Sequence, residues 1–275
     1  MISVVAALFR LKLSFLNGIT ALAGYLLFPA NIDFLSALSA FVGVSLLAAG
    51  GSALNQVLER DLDSRMNRTS MRPVPQQVLT PTGAALTGLT AIMSGLLLLA
   101  VAGGMVTTLL GAVVLIWYLA VYTPLKIRTS LALLVGAICG AFPPLIGWCL
   151  AGGPPDDYRI ITLAGLLFMW QVPHFWLFQR RHAEDYRRAG IPLFSSHGSI
   201  SGYSHFFWLW LVALSVGAML LPVFGMIEGP AALWYILFPV PIVFLTTFRS
   251  GNLLFPYINC FPLLVTLLLL IQKHT

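Results

Sequence analysis

Three oxygen-bearing side chains recur at four-residue intervals in NQVLERDLD, which covers residues 55–63. Asn55, Glu59 and Asp63 would form one stripe over two turns of a helix, because residues four apart are neighbours on a helix surface. Two carboxylates in such a stripe repel each other unless a cation lies between them. Mg²⁺ prefers oxygen ligands and usually binds through one or two carboxylates together with substrate phosphates. The spacing therefore indicates a Mg²⁺ site.

Arginines follow the acidic stripe directly, in RMNRTSMRP at residues 65–73. Arg65, Arg68 and Arg72 each carry a planar fork of N–H donors that suits phosphate oxygens. Acids followed by arginines favour a site for Mg²⁺ and phosphate. The alternative is an ordinary charged helix end, in which pairs such as Asp61 with Arg65 face solvent.

A second basic group lies in YTPLKIRTS, residues 122–130. Lys126 and Arg128 are candidates for contact with a phosphate, and Tyr122 precedes them by one turn of helix. A different interpretation is also open, because tyrosine is common at membrane interfaces and basic residues near span ends set the topology.

Polar residues interrupt an apolar segment at WQVPHF, residues 170–175. Such side chains are costly at membrane depth and usually face the bundle interior or a cavity. His174, with Trp170 beside it, is therefore a candidate ligand-binding residue, although a hydrogen-bonded structural histidine would give the same pattern. The chain then runs into HAEDYRRAGIP, where Asp185 provides a second acidic position flanked by arginines.

The composition identifies an integral membrane protein. Of the 275 residues, 59% are hydrophobic and only 9% are charged, and the mean hydropathy is +0.90. A soluble domain is nearer half apolar and one quarter charged. The alternating ten-residue segments of a membrane β-barrel are absent from the sequence. The expected fold is all-α, a polytopic helical bundle in the lipid bilayer that forms one domain over residues 1–275.

Nine apolar segments approach the length of about 20 residues that a helix needs to span a bilayer. The first is interpreted as a retained span and not as a removed signal peptide. The three cysteines lie in apolar runs without metal or disulfide spacing and are interpreted as small buried hydrophobes. The predicted spans are 13–30, 36–57, 83–101, 104–122, 131–151, 160–179, 205–225, 231–248 and 253–272.

Basic residues lie mostly on one side of the predicted membrane. Nine spans place the termini on opposite sides, and the N-terminal side then carries 13 of the 15 lysines and arginines. Because basic loops stay in the cytoplasm, we expect the N-terminus and the candidate site loops to be cytoplasmic. Orientation alone does not account for acids at helical spacing among these bases, which favours a site at this face.

Together these stretches resemble the UbiA-type intramembrane prenyltransferases, whose first motif places Asn and acids four residues apart after the second span. Within that family the similarity is to the members that farnesylate haem. The combination of WQ-x-PHF with DY-x-x-AGIP is its most specific part, because relatives that prenylate quinone precursors do not usually combine them. The similar stretches, within residues 10–200, are 65–73, 122–130, 140–148, 170–175 and 184–192.

The resemblance implies transfer of the farnesyl group of farnesyl diphosphate to the 2-vinyl group of haem B, with Mg²⁺ as cofactor. It also implies a bacterial-type cytoplasmic membrane and no nucleic-acid partner, and it allows an assembly partner, either a haem A synthase or a terminal oxidase. The implied metal ligands are Asn55, Glu59, Asp63 and Asp185, and the further catalytic residues are Tyr122 and Lys126. The implied diphosphate ligands are Arg65, Arg68, Arg72 and Arg128, and the implied haem contacts are Trp170 and His174.

Three positions depart from the family pattern. Glu59 stands where Asp is more usual, and its longer side chain still reaches a metal. The K-I-R tripeptide at 126–128 separates a lysine and an arginine that are usually adjacent. Arg181 occupies the position four before Asp185, where the wider family has a second aspartate.

Other functions fit parts of the sequence. A prenyltransferase with an aromatic or quinone-precursor acceptor is compatible with the first motif. A transporter would place ionisable residues near the bilayer midplane and show an inverted repeat, whereas the acids here cluster at one interface. A structural membrane subunit would not need an Asn-Glu-Asp stripe beside arginines.

Overall fold

A computed structural model describes residues 2–194, 205–247 and 251–274, and every regular element within these ranges is a helix. The predicted all-α class is confirmed. The helices are α1 (Ile2–Leu8), α2 (Leu11–Leu27), α3 (Phe34–Leu58), α4 (Arg60–Asp63), α5 (Asn67–Ser70), α6 (Pro81–Ile116), a π-helix (Trp117–Tyr122), α7 (Thr123–Leu125), α8 (Ala132–Leu150), α9 (Tyr158–Arg181), α10 (Ala183–Arg188), α11 (His205–Val223), α12 (Gly229–Ile236), α13 (Pro239–Thr247), α14 (Gly251–Asn259) and α15 (Phe261–His274).

Short polar residues define where three long helices begin. Asp33 accepts a hydrogen bond from the backbone N–H of Ser36 at 2.9 Å and caps α3. Thr80 caps α6 through the N–H of Gly83 at 3.1 Å, and Asp157 caps α9. These side chains satisfy N–H groups that the first turn of a helix leaves without partners. Polar loops therefore end where the apolar helices start.

The chain reverses direction inside α6 at Gly104, whose φ of 72° and ψ of −158° are not helical. A Cβ atom on Gly111 would lie 3.2 Å from Leu99 Cδ1, whereas 12 residues of straight helix would separate these positions by about 18 Å. Thr107 closes the turn, because its hydroxyl donates to the Leu99 carbonyl at 2.9 Å. Glycine suits this position because it adopts a positive φ without steric cost.

Glycines let α3 and the first half of α6 approach closely. Gly43 and Gly50 lie seven residues apart on α3 and face Gly95 and Gly88 on α6. A Cβ atom on Gly50 would lie 2.5 Å from the Gly88 carbonyl oxygen, and one on Gly95 would lie 2.8 Å from that of Gly43. Small residues at such crossings allow the close backbone packing that drives helix association in lipid.

Helix α2 crosses α8 in the same way. A Cβ atom on Gly24 would lie 1.8 Å from the Pro144 carbonyl oxygen, and one on Gly147 would lie 1.8 Å from that of Ala21. The two close crossings hold α2, α3, α6 and α8 around a common interior.

The structure is that of a multi-pass membrane protein. The predicted number of nine spans stays a prediction, since six stretches in the described ranges reach spanning length and the longest of them contains the reversal at Gly104. The shorter apolar helix α2 has 17 residues. The six stretches are Phe34–Leu58, Pro81–Leu125, Ala132–Leu150, Tyr158–Arg181, His205–Val223 and Leu253–Lys273.

Large aromatic side chains form the core of the C-terminal half. Trp148, Phe207, Tyr235 and Phe261 are fully buried, and they share one apolar cluster with residues of α9, α11 and α14. This cluster holds α14 against α9. Helix α14 therefore faces the predicted haem-contacting residues.

Candidate functional site

A cavity lies between α2, α3, the π-helix, α8 and α9, with charged residues at one end and apolar residues at the other. Along α3 its wall runs from Asn55 back to Val44, which is about 16 Å of helix. Its polar lining is Arg10, Asn17, Ser52, Asn55, Glu59, Asp63, Arg68, Arg72, Tyr118, Tyr122, Lys126, Thr129, Ser130, Gln171, Gln179 and Tyr186. Its apolar lining includes Val44, Leu47, Val114, Leu115, Leu133, Pro143, Ile146, Phe175 and Phe178.

The predicted acidic stripe exists and faces this cavity. Asn55, Glu59 and Asp63 are only 4%, 5% and 1% exposed, so they are not part of a solvated helix end. The regular helix ends at Leu58, but the N–H of Glu59 still donates to the Asn55 carbonyl at 2.9 Å and that of Asp63 to the Glu59 carbonyl at 2.7 Å. The four-residue hydrogen bonds continue across the break, which keeps all three side chains on one face.

Each carboxylate of the stripe is paired with one cation. Arg72 Nη1 donates to Asp63 Oδ2 at 2.6 Å. Lys126 Nζ donates to Glu59 Oε2 in a short contact. Lys126 reaches Glu59 from the segment after the π-helix, so two of the predicted motifs meet here.

The side-chain oxygens that these ion pairs do not use are suitable ligands for a hard cation. Glu59 Oε1 is buried and has no hydrogen-bond partner among residues 2–194, 205–247 and 251–274. Asn55 donates through Nδ2 to Thr123 Oγ1 at 3.2 Å, which leaves its carbonyl oxygen as an acceptor. The described ranges contain no cluster of three or more His, Cys, Asp or Glu residues, so a metal here would need the Asn55 oxygen and substrate oxygens to complete its shell.

Burial sets the electrostatics of the cavity mouth. It raises the pKa of Glu59, against the opposing effect of the Lys126 charge. It also lowers the pKa of Lys126, against the opposing effect of Glu59, and lowers the pKa of Arg68. Glu59 and Lys126 therefore depend on each other, because a buried charge without a partner is strongly unfavourable.

The predicted arginines separate into two groups. Arg68 lines the cavity with its guanidinium 5.0 Å from the centre of the Phe178 ring, and Arg72 lines it beside Asp63. Arg65 is exposed and lies outside the lining. The reason is tertiary packing, since its neighbour Met66 is buried in a small cluster with Ala189 and Ile191, which turns Arg65 outwards.

The two basic side chains in the loop after the π-helix also differ in their position relative to the cavity. Lys126 points into the cavity, whereas Arg128 is exposed and outside the lining. Of the two candidates for phosphate contact in this loop, the geometry therefore favours Lys126.

Two tyrosines project from the π-helix into the cavity. The rings of Tyr118 and Tyr122 stack with centroids 5.9 Å apart and an angle of 18° between their planes. A π-helix often marks a functional site. Gly136 on α8 makes room for Tyr122, because a Cβ atom there would lie 2.6 Å from the ring.

Asp185, a predicted metal ligand, contacts the backbone at the start of α5. Its oxygens accept hydrogen bonds from the backbone N–H groups of Asn67 at 3.0 Å and Arg68 at 3.1 Å, and it lies outside the cavity lining. Burial favours a higher pKa for Asp185, but these N–H groups outweigh it and lower the pKa overall. Asp185 thus anchors the first turn of α5, which carries Arg68.

The predicted haem-contacting residues lie on another face of α9. Gln171 and Phe175 line the cavity, whereas Trp170 and His174 face α14. The structure therefore does not bring His174 into the cavity that holds the acidic stripe.

Arg10, Tyr118 and Tyr186 line the cavity but were not among the predicted site residues. Tyr118 lies four residues before Tyr122, so helical spacing could have identified it. Arg10 has a left-handed backbone, with φ of 46°, at the break between α1 and α2. No local pattern in the sequence predicts that break.

Comparison with known proteins shows the family to which the chain belongs. The model of the UbiA prenyltransferase family matches residues 17–253. A curated relative named protoheme IX farnesyltransferase, from Geobacter sulfurreducens, is 56% identical over 265 residues, which cover 96% of this chain and 97% of the relative.

Solved structures show the same fold at low sequence identity. A UbiA homolog from Aeropyrum pernix K1 is 16% identical and superposes with a TM-score of 0.76, over 96% of this chain and 98% of the homolog. A UbiA homolog from Archaeoglobus fulgidus bound to DMAPP and Mg²⁺ is 16% identical, with a TM-score of 0.69 over 98% and 99% of the two chains.

Proposed function

Since the chain belongs to the UbiA prenyltransferase family, we propose that it transfers the farnesyl group of farnesyl diphosphate to the 2-vinyl group of haem B, giving haem O and diphosphate. The acceptor follows from the name of the 56% identical relative. The observation that carries the proposal is the cavity itself, whose charged mouth and long apolar wall match the two halves of a prenyl diphosphate. The single-domain organisation over residues 1–275 remains part of the proposal.

Asn55, Glu59 and Asp63 would hold Mg²⁺ through the oxygens that their side-chain contacts leave available. Mg²⁺ is present with a prenyl diphosphate in the relative from A. fulgidus. When bound, the ion supplies Lewis-acid neutralisation of the leaving diphosphate. Asp185 is not included among the ligands, because its oxygens anchor α5.

Arg68, Arg72 and Lys126 would bind the diphosphate. They are fixed around the acidic stripe and place positive charge where negative charge develops as the carbon–oxygen bond breaks. Arg65 and Arg128 are exposed, so we assign them to long-range attraction of the anionic substrate and not to direct contact.

The tyrosine pair would stabilise the allylic cation that remains. The faces of Tyr118 and Tyr122 carry negative potential, which attracts a cation within about 6 Å of the ring. The apolar wall around Val44, Leu47 and Ile146 excludes water, which protects the cation from premature hydrolysis.

The transfer breaks the bond between farnesyl C1 and oxygen, the π bond of the vinyl group and one O–H bond of water, and it forms one carbon–carbon bond and one carbon–oxygen bond. The bond between farnesyl C1 and the diphosphate oxygen breaks, and diphosphate leaves with the bonding electrons. The terminal carbon of the vinyl group bonds to farnesyl C1, so positive charge moves to the vinyl carbon next to the porphyrin. Water adds there and loses a proton, which gives the hydroxyethylfarnesyl substituent. His174 and Trp170 would hold the haem.

We also propose the orientation, in which the site faces the cytoplasm of a bacterial-type membrane. It is supported by the concentration of basic residues in the site-bearing loops, which the positive-inside rule assigns to the cytoplasm. A haem A synthase or a terminal oxidase is the proposed assembly partner, because such proteins would use the product.

The test is to incubate the purified protein with Mg²⁺, haem B and farnesyl diphosphate and to search for haem O by mass spectrometry. We expect a product heavier than haem B by one farnesyl group and one water. Asp63→Asn should abolish it, whereas Asp61→Asn should not, because Asp61 is exposed, pairs with Arg60 at 3.4 Å and lies outside the cavity lining. Turnover on a quinone precursor but not on haem B would refute the proposed acceptor.

A further inference from the structure

A second polar cluster lies between α9 and α14, on the face of α9 that does not line the cavity. The indole N–H of Trp170 donates to the Ile258 carbonyl at 2.7 Å. His174 Nδ1 lies 2.6 Å from Asn259 Oδ1. The partners are 88 and 85 residues apart in the chain, so tertiary packing alone creates this cluster.

The contact with Asn259 determines which nitrogen of His174 is available. An amide oxygen is only an acceptor, so Nδ1 must carry the proton and Nε2 then presents its lone pair. A metal-ligating histidine almost always donates its other ring N–H to a carbonyl or carboxylate oxygen. His174 therefore has the hydrogen-bonding arrangement of an axial ligand.

Aromatic stacking fixes the plane of the same imidazole. The Trp170 ring lies 5.0 Å from the His174 ring at an angle of 26°, and the Phe255 ring lies 5.5 Å from it at 19°. With both faces packed and Nδ1 bonded, the Nε2 edge is the one left for a ligand.

A cation lies at the polar end of this cluster. The Arg181 guanidinium is 5.9 Å from the centre of the Phe255 ring, and Arg181 is exposed and has no ion pair within the described ranges. It lies two turns after His174, or about 10 Å along the helix, a separation comparable with that between a haem iron and its propionates. Arginine binds carboxylates in a bidentate manner.

The cluster is next to the cavity. Phe175 meets His174 edge to face at 5.3 Å and also lines the cavity. One aromatic side chain therefore separates this face from the space that would hold the farnesyl group.

We infer that haem B binds on the α9–α14 face, with His174 Nε2 toward the iron, Asn259 as the positioning residue of His174, and Arg181 bound to a propionate. The inference rests on the proposed function. It gives α14 a part in acceptor binding that the family motifs in α3 to α10 do not describe.

The test is a titration of the full-length protein in detergent with ferric haem B and with its dimethyl ester, which lacks charged propionates. The Soret band gives the affinity and electron paramagnetic resonance gives the axial ligation. We expect Asn259→Leu to weaken the binding of both porphyrins by about 10- to 100-fold. Asn259→Asp should retain affinity but change the ligand-field spectrum, because a carboxylate makes the imidazole a stronger donor.

Arg181→Gln should weaken the binding of haem B by about tenfold, the loss expected for a charge-assisted hydrogen bond. The affinity for the dimethyl ester should not change. The matched controls are Cys260→Ser and Arg188→Gln, an exposed arginine at the same end. Cys260 lies beside Asn259 and is exposed, so the prediction that it is a buried hydrophobe was wrong. Binding of Mg²⁺ with farnesyl diphosphate should be unchanged in all variants, which shows that they are folded.

One result would refute only the assigned haem-binding face, and another would refute the proposed function as well. If wild type farnesylates haem B but the Asn259 and Arg181 variants bind it as wild type does, the assigned face is wrong and the proposed function stands. If wild type neither binds nor farnesylates haem B, the proposed function is wrong and this inference falls with it.

Discussion

Lys126 donates to Glu59 across 67 residues of sequence, and the pair lies at the mouth of the cavity with Glu59 buried and Lys126 largely buried. Arg72 pairs with Asp63 in the same way, so the two carboxylates of the stripe are neutralised by two internal cations. Mg²⁺ alone would have to compete with these cations. We propose that, when a diphosphate binds with the metal, Lys126 and Arg72 would exchange carboxylate oxygens for phosphate oxygens, so that no charge would be left without a partner.

Lys126→Met should therefore increase the affinity for divalent metal in the absence of diphosphate while abolishing turnover. We expect about tenfold tighter binding, or about 1.4 kcal/mol, because Glu59 loses its competing cation. Binding of Mn²⁺, followed by electron paramagnetic resonance, measures the change. Lys126→Arg keeps the positive charge and should bind Mn²⁺ as wild type does. Unchanged Mn²⁺ affinity in the Met variant would contradict the exchange of partners.

Asp185→Asn should destabilise the protein by about 2 kcal/mol, the range for hydrogen bonds to a charged group, because an amide offers one acceptor oxygen to two backbone N–H groups. Thermal unfolding in detergent measures the loss. Glu184→Gln is the matched control, since Glu184 makes only exposed pairs with Arg187 and Arg188 and such pairs contribute little.

The effect of Asp185→Asn should depend on pH. The folded state lowers the pKa of Asp185 below its ordinary value of 3.8, so its stabilisation is complete above that value and is lost as the pH falls through the folded-state pKa. The difference between wild type and variant should thus be constant near neutral pH and shrink below about pH 4. A difference that grows on acidification would show that Asp185 is not held as a carboxylate.

Gly136→Ala should reduce turnover more than stability. The added Cβ would lie 2.6 Å from Tyr122 Cε2, and the ring is the part that can move, so the tyrosine stack should be displaced from the cavity. Gly165→Ala is the control, because nothing lies within 4 Å of a Cβ atom there. Steady-state rates and melting temperatures for both variants distinguish a displaced tyrosine from general damage. Equal rates in the two variants would refute a role for the position of Tyr122.

Tyr235→Phe should leave the stability unchanged or raise it. The side chain is fully buried, and its hydroxyl has no hydrogen-bond partner in the part of the chain that the structure describes. Such an unpaired group costs about 1–3 kcal/mol. Tyr257→Phe is the comparison, since its hydroxyl donates to the Phe238 carbonyl at 2.8 Å and its loss should destabilise by about 1 kcal/mol. A lower melting temperature for Tyr235→Phe would reveal a partner for that hydroxyl.

Local periodicity was enough to predict much of the cavity mouth. Asn55, Glu59 and Asp63 share a face because residues four apart are neighbours on any helix, and the hydrogen bonds that enforce this are themselves local. The apolar segments likewise predict helices, because only intrasegment hydrogen bonding satisfies the backbone in lipid. The all-α membrane fold followed from such patterns, whereas the family was indicated by the resemblance of short motifs such as WQVPHF at residues 170–175.

The sequence alone therefore determined the type of element and the spacing of residues along it, and the tertiary structure decided which elements face each other. Asp185 meets the backbone of Arg68 across 117 residues, and Asn259 meets His174 across 85; no periodic pattern encodes either contact. The turns that carry Met66 inwards and Arg65 outwards also depend on a cluster formed with α10 and the residues after it. Contacts of this kind arise from packing between distant segments. Such packing places Asp185 against the backbone of α5, and it brings Lys126, but not Arg128, to the acidic stripe.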